Sequence, residues 1–365
     1  DETMKKFVGF TDICGGSKIQ LQTTNDVPLN QAIHVTSETS SPSITVALCR
    51  TPERSAEALN HDLSTWKRLL ENVTARQADD GDFFARVLRT RDFRKSEEAA
   101  QALAAGVNPS YRGELWFGFT GGWFKLRHEP RSSQFASVLA RVRASVVPAL
   151  PDIDGDVSRL ALPGHEAAAL RQVLACVTFA DASVPYTQAL CCVAQVVVRH
   201  LPPDRAFWVV LALQNHTLAG YFTPKFMGCQ VDARVAEAVA AAVVPGLVRR
   251  LRDSGIPLCH VLFGWMQTAF QSLSVDLCEH VLDHAIYRGR SFLFHAVLAL
   301  LLELEPRLAD AQRRSGAAAQ AQQQRRQVQA LPGEPLSAAL AREAQTLSGR
   351  RLIQCALTDP RVARA

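Results

Sequence analysis

Several features are scarce in this chain of 365 residues. Its longest strongly apolar stretch, Phe292 to Leu302, meets Glu303 well short of the roughly 20 residues that a bilayer-spanning helix needs. The N-terminus lacks the uninterrupted apolar core of a signal peptide. Neither sign of charge dominates: 40 Lys and Arg against 35 Asp and Glu leave +5, with no long run of one sign. Aromatics make up 7% of the chain and are rarely interleaved with arginine, which argues against nucleic acid as a partner. No two cysteines stand at the C-x-x-C spacing of a zinc ribbon. The class that survives these exclusions is a soluble globular protein of the cytoplasm. With 47% hydrophobic residues and a mean hydropathy near zero, it has ample material for a large core.

The nine cysteines form an odd, scattered set, several of them inside apolar helical stretches such as that around Cys176. This pattern predicts buried, reduced thiols. Residues 1–55 differ from the rest in being rich in Thr, Ser, Gly, Ile and Val, and alternation over Ser17–Gln22 and Ser43–Ala47 predicts short strands or extended loops there. From about Pro52 the composition turns to Ala, Leu, Arg and Glu, and helical periodicity takes over, with a first helix expected at Ser64–Leu70.

Leu170, Val173, Leu174 and Val177 recur at i, i+3, i+4 and i+7, on one face of a helix after Pro163-Gly164. A second helix is expected from Thr187 to Arg199, and a third after Pro202-Pro203-Asp204. Val235, Val239, Val243, Leu247 and Leu251 predict a longer helix, interrupted near Pro245 and ended by Gly255. Ser291 is expected to cap a helix, Phe292–Leu302, that is apolar all round and therefore central. The fold class is all-α beyond the N-terminal segment, with a helical body over 56–312, a polar Ala/Gln/Arg linker or exposed helix end over 313–335, and closing helices over 336–365.

Two motifs carry chemistry. Ile153-Asp154-Gly155-Asp156-Val157-Ser158-Arg159 is an I-x-x-D-x-x-R pattern, and Pro185-Tyr186-Thr187-Gln188-Ala189-Leu190 opens the second of the apolar helices. By itself an arginine in an arginine-rich chain is a surface residue, and a polar residue ahead of a helix is a cap. Their order and surroundings say more. The pair resembles the motifs I-x-x-D-x-x-R and Y-x-Q-G of the TBC domain family of Rab GTPase-activating proteins.

Further landmarks fall in that family's order: Gly106-Val107-Asn108-Pro109-Ser110-Tyr111-Arg112-Gly113-Glu114-Leu115-Trp116, Ala206-Phe207-Trp208, Gly220-Tyr221-Phe222, Pro245-Gly246-Leu247, Trp265 to Phe270, and Leu282-Asp283 followed by Gly289. The resemblance implies a two-lobed helical fold and a partner, a Rab-type small GTPase in its GTP-bound state. It implies no cofactor of the chain's own, since the GTP and Mg²⁺ belong to that partner, and any association with a membrane would run through the GTPase.

The resemblance also assigns roles. Arg159 becomes an arginine finger and Gln188 a glutamine finger, both supplied in trans. Asp156 would steady the finger loop, with Arg112 as its counter-ion and Tyr186 as further support, although spacing alone allows Asp156 to be an ordinary helix cap. A finger arginine contributes on the order of 10³ to 10⁵ in hydrolysis rate, because its guanidinium is always charged and offers a planar fork of donors to phosphate oxygens. A glutamine amide can donate to one oxygen while accepting from the attacking water.

The chain departs from the family pattern at Ala189, where glycine is usual, and at Pro185 before Tyr186. If that glycine serves a positive φ or a close approach, the methyl group would tilt Gln188 or crowd the partner. This keeps open a module that binds a GTPase or scaffold without accelerating hydrolysis. Two other clusters draw notice. His280 and His284 stand at a zinc-capable i, i+4 spacing beside Cys278, but without a further ligand they read as structural and no metal is expected. Cys191-Cys192 with His200 would form a thiol nucleophile and base, but lie in an apolar helix and read as packing.

Overall fold

The computed structural model describes residues 97–325 and 335–364, together with Arg68. The expected strands at Ser17–Gln22 and Ser43–Ala47 lie outside the described residues, as does the helix expected at Ser64–Leu70 apart from Arg68, which is helical. Among the described residues there are helices and no strands.

The first group of helices surrounds one central rod. In chain order it comprises α1 (Glu97–Ala105), α2 (Pro109–Phe119), α3 (Gly122–His128), α4 (Phe135–Arg143), α5 (Leu150–Arg159), α6 (Gly164–Ala180), α7 (Gln188–Val198) and α8 (Pro203–Ala212). α6 is the rod, and α4, α5, α7 and α8 all pack on it. Its Leu170, Val173, Leu174 and Val177 are fully buried, as the periodicity predicts. Thr187 caps α7 by accepting from Leu190 N at 3.3 Å, and Pro203 opens α8 where a missing N–H costs nothing.

The second group follows: α9 (Met227–Val243), α10 (Pro245–Asp253), α11 (Leu258–Gln267), α12 (Val275–Arg288), α13 (Ser291–Arg325), α14 (Leu336–Gln345), α15 (Gly349–Thr358) and α16 (Pro360–Ala363). α13 begins with the expected apolar stretch, whose Leu293, Val297, Leu300 and Leu301 are completely buried beneath α12, α14 and α15. The closing helices pack back through Leu340, Leu347, Leu352 and Ile353. α2 and α7 both reach across to α12, joining the two groups. Within the first group, Gly113 of α2 is pressed on the turn after α7: a Cβ there would lie 2.2 Å from the His200 carbonyl oxygen.

The valines Val235, Val239 and Val243 that mark α9 do not form its buried face. α9 buries Cys229, Ala233, Ala236 and Ala240 against α11 and leaves Val235 46% exposed, because the small alanines let the two helices approach closely. The chain does break ahead of Pro245, at Val244 (φ −131°, ψ 57°), and turns at Gly255 (φ 72°). Of the two readings of the polar stretch after Arg313, linker or helix end, the second holds as far as Arg325: α13 runs on, since Ala, Gln and Arg are strong helix formers. Residues 326–334 lie outside the described ones.

Candidate functional site

Arg159 is the last residue of α5, where a cation is favoured by the helix dipole. The chain reverses directly behind it through Ala161, whose φ of 48° costs a non-glycine residue roughly 1 kcal/mol. The Arg159 side chain is 63% exposed, and its Nη2 donates to Asp156 Oδ1 one helical turn back. Asp156 is nearly buried within α5, so it is not a helix cap.

The other carboxylate oxygen of Asp156 accepts from the Tyr186 hydroxyl at 2.6 Å. Burial, and after it this hydrogen bond, pushes the Tyr186 phenol well above its ordinary range, so the hydroxyl remains a donor. Two residues beyond Tyr186, Gln188 opens α7 with its side chain exposed. One buried carboxylate therefore joins the I-x-x-D-x-x-R and Y-x-Q motifs. It leaves two polar side chains, Arg159 and Gln188, at solvent-facing helix ends. Arg159 offers a charge and a fork of donors to an anion, and Gln188 an amide with a donor and an acceptor to a water.

Ala189, the departure from the family pattern, lies in the first turn of α7 with a helical backbone and is 7% exposed. Its methyl belongs to the packed side of the helix, and no positive φ is required there.

Arg112 is not the partner of Asp156. Its guanidinium is clamped by Asp283, with Nε to Oδ1 at 3.0 Å and Nη2 to Oδ2 at 3.1 Å, while Nη1 donates to Glu279 Oε2 at 2.6 Å. Trp116 Nε1 donates to Asp283 Oδ1 at 2.8 Å, and His200 Nε2 meets Glu279 Oε1 at 2.8 Å. The His200 ring stands edge-on to Trp116, 5.2 Å away. Burial raises the Asp283 carboxyl above its ordinary value, with Arg112 opposing it. Burial would raise Glu279 as well, but the His200 hydrogen bond and the Arg112 charge bring it below its ordinary value. This network ties α2 and α12 to the turn after α7, at the opposite end of that helix from Gln188. The sequence contains Arg112, Trp116 and Leu282-Asp283 as separate landmarks; that Glu279 and His200 belong with them has no signal in spacing.

The remaining candidates resolve into packing. His280 Nδ1 lies 2.8 Å from the Asp276 carbonyl oxygen, whereas His284 is buried and stacked on Phe292 at 4.9 Å. Among the described residues no cluster of three His, Cys, Asp or Glu is placed to hold a metal ion. Burial pushes the Cys191 thiol up to about 12 and Cys192 up to about 11, and His200 is engaged by Glu279. Among the described residues, no helix is long and apolar enough to cross a membrane.

Two groups of helices that meet along α12, with no strand among the described residues, are the architecture of a TBC domain. The chain belongs to the Rab-GTPase-TBC domain family, which it matches over residues 110–309. Among curated proteins it is similar to Small G protein signaling modulator 3 of Bos taurus, 28% identical over 218 residues, and to that of Homo sapiens, 26% identical over 218 residues. The matched part is 57% of this chain, and it spans 29% of the length of those relatives.

Among solved structures it is similar to the Chlamydomonas flagellar RabGAP TBC domain, with a TM-score of 0.58 and 16% identity over 80% of this chain and 94% of the other. The TBC domain of Skywalker/TBC1D24 from Drosophila melanogaster, in complex with inositol(1,4,5)triphosphate, matches with a TM-score of 0.54 and 11% identity over 75% of this chain and 93% of that one. These likenesses show the same fold.

Proposed function

We propose that the chain is a GTPase-activating protein for a Rab-type small GTPase, to which it supplies Arg159 as an arginine finger and Gln188 as a glutamine finger. The observation that carries this reading is the Asp156 carboxylate, which binds Arg159 through one oxygen and Tyr186 through the other. In hydrolysis of GTP the charge is spread over phosphoryl oxygens, and the activator's part is to neutralise it and to hold a water in line. Arg159 supplies the first and Gln188 the second. The nucleotide and its Mg²⁺ come with the GTPase in its GTP-bound state.

Single-turnover GTP hydrolysis across a panel of Rab proteins tests the reading. The expected result is acceleration of at least one Rab, lost by a factor on the order of 10³ or more in Arg159→Ala. Arg159→Lys fails as well, because an ammonium does not reproduce the planar fork. Gln188→Ala combined with Arg159→Ala loses little beyond either alone, as groups serving one transition state do. An Arg159→Ala variant as fast as wild type sinks the mechanism. A Rab that binds yet hydrolyses at its own rate would make the domain a binding module instead.

A further inference from the structure

α8 does not end in an ordinary helical turn. Leu213–Thr217 is a π turn, closed by Leu218 N donating to Leu213 O at 2.7 Å, a rare widening that is frequent at functional sites. The widened turn carries Gln214, a polar side chain only 3% exposed. Its Nε2 lies 3.4 Å from Asp181 Oδ2 and 3.4 Å from Asn215 Oδ1. Both neighbours are acceptors, so chemistry sets the orientation of the amide: its two hydrogens face two oxygens. At its other end Oε1 is buried with no hydrogen-bond partner among the described residues. Among those residues, the contacts to Asp181 and Asn215 orient this amide.

Asp181 closes α6 and shapes the approach to Gln188. Its Oδ1 accepts from Ser183 Oγ at 2.5 Å and from Ser183 N at 3.2 Å, and its carbonyl accepts from Val184 N at 3.2 Å. From that turn the chain runs through Pro185, Tyr186 and Thr187 to Gln188. The same carboxylate that builds the turn is therefore held from α8 by Gln214.

We propose that Gln214 is a positioning residue for Gln188: from the π turn it fixes Asp181, and through Asp181 the turn that sets where the glutamine begins. This rests on the reading of Gln188 as the group that orients water. On the other flank the Tyr186 to Asp156 bond ties the same loop to α5. The loop is thus held at both ends, by Gln214 at its start and by Asp156 near its close.

Gln214→Glu keeps the side chain's length but sets a second carboxylate against Asp181. In this variant the amides of residues 182–184, 186 and 187 should exchange with deuterium several-fold faster than in wild type. The saturated rate of Rab-bound GTP hydrolysis should fall on the order of tenfold, with the half-saturating activator concentration unchanged. The paired change Gln214→Glu with Asp181→Asn returns a donor to the contact and restores both readouts. Gln214→Met, uncharged and of similar length, shows the same loosening if the glutamate variant fails to fold. Unchanged exchange, or a paired variant no better than the single one, overturns the proposal. Should wild type accelerate no Rab, the finger reading falls by itself, and the exchange measurement still decides whether Gln214 holds the loop.

Discussion

The hydroxyl of Tyr186 donates to Asp156 at 2.6 Å, across two helices that follow one another only after a full intervening helix, α6. Asp156 thereby serves the loop ahead of α7 and the end of α5 at once. Removing the phenolic oxygen with Tyr186→Phe keeps the ring's packing and breaks that bridge. The saturated rate of GTP hydrolysis is expected to fall on the order of tenfold while the concentration dependence holds, since a misplaced group costs transition-state stabilisation and not encounter. A rate equal to wild type would remove the bridge from the mechanism.

Ala189 gives a prediction of opposite sign to the one its departure from the family pattern suggests. It is helical and almost buried, so Ala189→Gly gains no needed backbone freedom. The variant should be no faster and should lose about 0.5–1 kcal/mol of stability to the greater flexibility of glycine in a helix, measured by urea unfolding.

Arg112→Met strands Asp283 in the interior without its guanidinium. Breaking one side of a buried pair costs about 3–5 kcal/mol, so the denaturation midpoint should drop steeply. Activity per folded molecule should change little, because the network of Arg112, Asp283, Glu279 and His200 touches neither Arg159 nor Gln188.

His284 sets a pH dependence. Burial holds its folded-state pKa down to about 3 against an ordinary 6.5, so the unfolded chain takes up a proton first as the solution is acidified. Stability from this group is complete above pH 6.5 and declines as the pH falls toward about 3, by about 1.4 kcal/mol per unit at most. His284→Gln, which retains a polar amide and does not titrate, should show a shallower loss of melting temperature than wild type between pH 6.5 and pH 4. Parallel curves would contradict the assignment.

The parts of this architecture that are local in sequence are readable in it. The face of α6 follows from Leu170, Val173, Leu174 and Val177, and the finger motifs are short strings at fixed spacing. What escapes is pairing over distance. Arg112 finds Asp283 171 residues away, which no spacing rule reports, so its assignment to Asp156 had nothing local to correct it. α9 shows its extent in its valines but not its buried face, which close helix approach gives to its alanines. After Arg313 polarity leaves a linker and a helix end both open, and helix propensity decides for the helix as far as Arg325. Gln214 is invisible because its importance arises from a π turn, which leaves no periodic trace.

Arg159 remains mostly open to solvent even while Asp156 holds it. A free surface arginine wanders among many rotamers, and freezing one costs about 1.5–2 kcal/mol. Held as it is, the side chain has already given up much of that freedom before any GTPase arrives. Under the proposed finger role, the step to the nucleotide would be an exchange of one anion for another, in which a carboxylate yields a guanidinium to phosphate oxygens of higher charge. Asp156 must then be left with Tyr186 as its donor, so the same hydroxyl that aligns the loop also keeps the vacated carboxylate from standing unsolvated.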